Sequence, residues 1–211
     1  MNGIVHFSLL NQQTLVRKAS CVTFSSDGRC VLVGDKNGDV YSVTADPGTH
    51  AGQETAPRLV LGHLSQLLDI VISSEGDRVI TADRDEKVRV SRFPNCYNID
   101  NYCLGHTEFV TSLCVSRVTR DTLLSGSGDG TVRVWNYVTG AERGCRDVTQ
   151  DIPAEERGHF ADLAGEAMET SDNDNDDNTV KRVSPPSQPA VVKIRYNLCN
   201  MISFAMSSIS V

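Results

Sequence analysis

One stretch limits the folds open to this chain more than any other: Gly105 to Tyr137, GHTEFVTSLCVSRVTRDTLLSGSGDGTVRVWNY. Phe109 to Val115 is rich in apolar and β-branched residues and reads as a strand. Thr122 to Ser127 reads as a second strand, and Thr131 to Trp135 as a third, with Val132 and Val134 on one face. Between the last two lies Ser127-Gly128-Asp129-Gly130, a turn whose glycines can take positive φ. A fourth strand is expected near Arg143 to Val148, where the pattern is weak.

The unit recurs upstream. Gly62-His63 opens a second copy, with strands at Leu67 to Ile72, Val79 to Ala82 and Val88 to Val90, and a turn at Asp83 to Lys87. Gly62 and Gly105 are 43 residues apart, a spacing typical of a four-stranded propeller blade. A third copy, without Gly-His or Trp, has strands at Ser20 to Ser25, Cys30 to Val33 and Val40 to Val43, with a turn at Asp35 to Gly38. Gly-His at the start and Trp-Asn at the end are the marks of a WD repeat. The fold class expected is all-β: an incomplete WD-repeat β-propeller of about three blades and part of a fourth, from a seven-bladed parent. The blades are placed at about 1–44, 59–93 and 102–148, with 45–57 as a surface loop. Three blades alone leave two raw edges, so poor solubility of the isolated chain is expected.

Residues 149–189 read differently. Positions 151–178 hold ten acids and one base, and a Ser-Pro-Pro run follows. Such a segment cannot offset its chain entropy by burial, so it is expected to be a disordered insertion. Residues 190–211 alternate again (AVVKIRY) and suggest the start of a further blade.

Composition narrows the chemistry. The formal charge is −7, and the acidic stretch accounts for all of it, which leaves the blades nearly neutral. A protein built mainly to hold free nucleic acid shows a basic face. Arg17, Lys18, Lys181, Arg182, Lys193 and Arg195 could neutralise phosphates, but no RNA site is assigned. The seven cysteines contain no CxxC pair, so neither a zinc site nor a secreted disulfide framework is expected. No apolar run is long enough to span a membrane, and the N-terminus lacks the marks of a signal peptide.

Ser125 or Ser127, His106, Asp129 and Trp135 imitate a catalytic set. In a repeat of this kind the same residue types form a buried hydrogen-bond chain that fixes the fold. His63, Thr81 and Asp85 are the expected counterparts in the second blade, incomplete because Ser91 stands at the Trp position. No catalytic residue and no metal ligand is expected.

The segments VGDKNGDVYSV, LGHLSQLLDIVIS, DRVITADRDEKVRVS and CLGHTEFVTSL resemble the WD-repeat, non-catalytic subunit of the eukaryotic tRNA (guanine-N7)-methyltransferase, over about Thr14 to Gly140. The resemblance implies a scaffold that performs no chemistry. It implies a nuclear heterodimer with a catalytic subunit, which carries S-adenosylmethionine and methylates a guanine in the tRNA variable loop. No cofactor is implied on this chain, and tRNA is met indirectly or through minor contacts. A generic adaptor, such as a ubiquitin-ligase substrate receptor, is the alternative, and the scarcity of aromatics speaks against it. The turns at 35–38 and 83–87 join corresponding strands of adjacent blades, so they should share a face, with Lys36 beside Asp85 and Glu86. Lys36, Arg84, Asp85 and Glu86 are expected to touch the catalytic partner, and Arg89 to reach back and brace Glu86.

Overall fold

The computed structural model describes residues 12–45 and 56–149. The expectations for residues 1–11, for the acidic stretch and for 190–211 lie outside the described residues. Twelve strands form three four-stranded antiparallel sheets. The first sheet holds β1 (Ala19–Phe24), β2 (Cys30–Asp35), β3 (Asp39–Thr44) and β4 (Arg58–Gly62). The second holds β5 (Leu67–Ile72), β6 (Arg78–Asp83), β7 (Val88–Arg92) and β8 (Ile99–Cys103). The third holds β9 (Val110–Val115), β10 (Thr122–Ser127), β11 (Thr131–Asn136) and β12 (Ala141–Asp147).

Sheet limits differ from the sequence reading at the outer strands. Residues 58–62 pair with β3 and close the first sheet, although they were expected to open the second blade. Residues 99–103 likewise close the second sheet, past its expected end at 93. These edge strands are short, and neither alternates cleanly: 58–62 is a mostly apolar run with Leu59 exposed, and 99–103 is largely polar. Pairing to an already formed neighbour makes them strands.

Each sheet has two distinct faces, because side chains alternate along a strand. The first sheet turns Cys21, Leu32, Val40 and Leu61 toward Leu67, Ile70 and Val79 of the second, and all of these are buried in one cluster. The second sheet turns Ile80, Ala82, Val88, Val90 and Cys103 toward Val110, Leu113, Leu123, Trp135 and Tyr137 of the third. Full burial of a Leu or Ile side chain is worth about 1.5–3 kcal/mol, so these two seams hold the unit together. A polar tie adds to the second seam. Asp69, which is buried, accepts the backbone N–H of Ile70 at 2.9 Å with one oxygen and that of Leu113 at 2.8 Å with the other.

The strand registers match position for position, so the three sheets can be superposed by residue. Val22, Ile70 and Leu113 are equivalent, as are Val33, Thr81 and Ser125. Ile70 and Leu113 are buried against the preceding sheet, but Val22 is 53% exposed. That face of the first sheet is open, and Phe24 and Leu59 are exposed with it.

Candidate interaction face

The histidines organise the loops that precede two of the sheets. In the third sheet His106 Nδ1 lies 2.8 Å from Asp129 Oδ2, and its Nε2 lies 2.7 Å from Ser125 Oγ. Trp135 Nε1 donates to the same Ser125 Oγ at 2.7 Å. An indole N–H can only donate and a carboxylate can only accept, so Trp135 donates to Ser125 and His106 gives Nδ1–H to Asp129. In the neutral imidazole, Nε2 then accepts the Ser125 hydroxyl. Burial pushes the His106 pKa down, against the opposing pull of Asp129. Burial would raise the Asp129 pKa, but hydrogen bonds from Thr131 and His106 outweigh it and hold it at about 2.

This arrangement removes the resemblance to a catalytic triad. Ser125 is fully buried, its proton is engaged by His106, and one lone pair is filled by Trp135. It has no path to a substrate, and a nucleophile needs one. Ser127, the other serine considered, stands outside the chain. Its hydroxyl donates to Glu108 O at 3.0 Å and accepts from Asp129 N at 3.2 Å.

The second sheet corrects one expected residue. His63 Nε2 lies 2.8 Å from Thr81 Oγ1, as the spacing suggested, but Nδ1 pairs with Asp83 Oδ2 at 2.9 Å and not with Asp85. Asp83 is two residues beyond Thr81 on the same strand, so both side chains rise from one face beneath the imidazole. In the third sheet that position is Ser127, which is too short, and Asp129 folds back from the turn to do the same work. Matching the turns by sequence therefore pointed to the wrong acid.

Arg89 also differs from expectation. It is buried rather than laid along the hairpin, and it donates to Ser91 Oγ at 2.9 Å, Gly62 O at 2.9 Å and Cys96 O at 3.2 Å. It does not brace Glu86. Ser91 stands where the third sheet has Trp135, and the guanidinium turns inward toward the space that the indole would fill. Gly62 and Gly105 are equivalent, and Gly105 lies against both Arg133, the counterpart of Arg89, and Trp135. Arg89 ties the Gly-His loop to its sheet through the Gly62 carbonyl.

The turns between second and third strands lie on one side of the unit. Three equivalent bonds dock them on the loops ahead of β1, β5 and β9: Lys36 N to Lys18 O at 3.1 Å, Arg84 N to Gln66 O at 3.1 Å, and Gly128 N to Phe109 O at 3.0 Å. Loop 63–66 touches two turns, since His63 N also donates to Gly38 O at 2.9 Å. Lys36, Arg84, Asp85 and Glu86 are therefore gathered on one side. Lys36 forms no ion pair with Asp85 or Glu86. Asp85 instead sits 3.8 Å from Lys87 of its own turn. Among the described residues neither Lys36 nor Glu86 forms an ion pair.

Glu86 has an unusual backbone, which the sequence reading missed. Its φ is 67°, in the left-handed region, and the equivalent positions in the other turns are Gly38 (96°) and Gly130 (76°). At Gly38 the glycine is also needed for space, because a Cβ there would lie 2.5 Å from Ser65 O. Asp83 Oδ1 steadies the Glu86 turn by accepting the N–H groups of Asp85 at 3.0 Å and Lys87 at 3.2 Å. A glutamate in a glycine conformation costs of order 1 kcal/mol. Strain of this kind, held by the surroundings at an exposed tip, points to a function for the side chain.

Three sheets of four antiparallel strands, with histidine-to-turn chains at the loops, define a WD40-repeat protein. A family model described as the tRNA methyltransferase TRM82 WD40 domain matches residues 45–181, and the chain belongs to this family. The tRNA (guanine-N(7)-)-methyltransferase non-catalytic subunit WDR4 of Mus musculus is 44% identical over 151 residues, covering 71% of this chain and 35% of the relative. The corresponding wdr4 protein of Danio rerio is 49% identical over 131 residues, 62% of this chain and 30% of the relative. The non-catalytic subunit wuho of Drosophila ananassae is 44% identical over 137 residues, 65% and 32% respectively. The chain thus spans about a third of the length of the curated relatives it matches. Among solved structures, the WD40 repeats of RRP9 superpose with a TM-score of 0.54 at 21% identity, covering 63% of this chain and 39% of that one. U3-55K gives 0.55 at 21% identity, covering 64% and 40%. These two support the fold alone.

Proposed function

We propose that this chain is a non-catalytic scaffold subunit of a tRNA (guanine-N7)-methyltransferase, and that it binds and stabilises the catalytic subunit through the face that carries the 35–38 and 83–87 turns. The relatives' names support the coarse role. Glu86 carries the reading further, as a strained, exposed and unpaired carboxylate where the sister turns use glycine. Lys36 and Arg84 stand on the same side, and mixed charge of this kind sets the partner and the register more than raw affinity. Arg89 contributes from within, by fixing the loop on which the face is built. Under this reading S-adenosylmethionine and the methyl transfer belong to the partner, tRNA is met mainly through the complex, and the complex works in the nucleus.

Titration of the full chain with the catalytic subunit tests the proposal. Charge reversal at Glu86 and Lys36 should weaken binding at least tenfold while the fold persists. Undiminished affinity in both variants refutes the assigned face.

A further inference from the structure

The side that bears the charged turns also carries two exposed apolar side chains that no ordinary fold requirement explains. Leu64 follows His63 and is fully exposed. Its loop is pinned to both turns, to the first by His63 N–Gly38 O and to the second by Arg84 N–Gln66 O. The backbone that carries Leu64 therefore bridges the two turns that bear Lys36 and Glu86. The loop ahead of β1 repeats the pattern. Lys18 O bonds the first turn as Gln66 O bonds the second, which makes Val16 the counterpart of Leu64, and Val16 is 85% exposed. The third loop has the polar Thr107 at this place.

A single exposed leucine on a protein surface needs no explanation. Here, two aliphatic side chains occupy equivalent positions in adjacent sheets, on the side that bears the unpaired charges. The seams between sheets do not use them. An apolar centre within a polar, charged rim is the anatomy of a protein-binding patch.

We infer that Leu64 and Val16 are the apolar anchors of this docking face. The fitting partner is a protein surface with a shallow aliphatic pocket for Leu64, flanked by a cationic group for Glu86 and an anionic group for Lys36. An RNA backbone fits poorly, since it is uniformly negative and would meet Asp85 and Glu86 unfavourably. The inference rests on the proposed function for the identity of the partner, and adds which side chains supply the affinity.

The test uses the full chain and the catalytic methyltransferase subunit, with affinity measured for the unaltered protein and for Leu64→Ser, Val16→Ser and Val118→Ser. Val118 is 93% exposed on the turn between β9 and β10, at the other end of the strands. Because all three side chains are exposed, the emission of the buried Trp135 should not change. Burial of a leucine at an interface centre corresponds to about 10- to 100-fold in affinity. Leu64→Ser should lose that much, Val16→Ser less, and Val118→Ser nothing. Tight binding that is unchanged by Leu64→Ser and Val16→Ser overturns the inference and leaves the proposed function standing. Failure of the unaltered chain to bind the catalytic subunit overturns both. Loss of tRNA binding by the complex, with the protein affinity intact, shows a nucleic-acid surface and also overturns it.

Discussion

Replacing Ser125 by alanine probes the logic of the third sheet most directly. The hydroxyl accepts from the Trp135 indole at 2.7 Å and is within 2.7 Å of His106 Nε2, and all three side chains are buried. Without it, an indole N–H and an imidazole nitrogen are stranded with no water in reach. Each buried polar group left unsatisfied costs about 1–3 kcal/mol. Relaxation within one network makes the two costs less than additive, so the expected loss is about 2–4 kcal/mol. Thr81→Val in the second sheet is the control. It removes a hydroxyl that meets His63 Nε2 at 2.8 Å and Arg89 O at 3.4 Å but strands no indole donor, for about 1 kcal/mol. The chain has a single tryptophan, and it is part of this network, so intrinsic fluorescence reports the right place. In urea, with a slope of about 1–3 kcal/mol per molar, the Ser125→Ala midpoint should fall by about 1–2 M with the slope unchanged. Adding Trp135→Phe, followed by circular dichroism, removes the stranded donor and should cost less than the two single changes combined. A Ser125→Ala unfolding free energy within about 0.5 kcal/mol of the parent would refute the account of the chain as a stabilising network.

Other consequences can be checked on the same protein. Asp69→Ala should cost about 1–3 kcal/mol, because Leu113 N–H loses its buried acceptor; hydrogen exchange at Leu113 should rise by far more than at Ile80, and equal changes would contradict the inter-sheet tie. Glu86→Gly should stabilise the unit slightly, by up to about 1 kcal/mol, while weakening the catalytic partner's affinity; destabilisation in urea would show that the left-handed glutamate is not strained. Acid should weaken the fold in two stages. The His106 pKa is depressed below its ordinary 6.5, so the unfolded chain takes up that proton first, and stability present above 6.5 is lost as pH falls below it. Asp129, held at about 2 against an ordinary 3.8, adds a second loss as pH falls from 3.8 toward 2. Urea midpoints that stay flat from pH 7 to 5 would contradict the first stage.

Much of the fold was legible in the residues. The inner strands and the turns between them read directly, because those strands bury alternating β-branched residues and the turns carry Gly, Asn and Asp. The outer strands 58–62 and 99–103 did not read, since an edge strand gets its conformation from the neighbour it pairs with. The His106, Ser125, Asp129 and Trp135 set was legible from residue type. The acid that serves His63 was not, because two aspartates lie within bonding range in sequence and strand alternation chooses between them. Leu64 gave no signal, since an apolar residue in a short loop is unremarkable until its loop is seen pinned to two charged turns.

By itself, the order of residues determined a set of repeated β units and the residue types of the buried chains, because short-range periodicity and turn chemistry are local properties. Tertiary structure alone decided where Arg89 points and that Glu86 takes a glycine's conformation. Those outcomes depend on volumes and hydrogen-bond vacancies that arise only once strands and loops pack, such as the space that Ser91 leaves beside Gly62 and the carbonyls that take up the guanidinium.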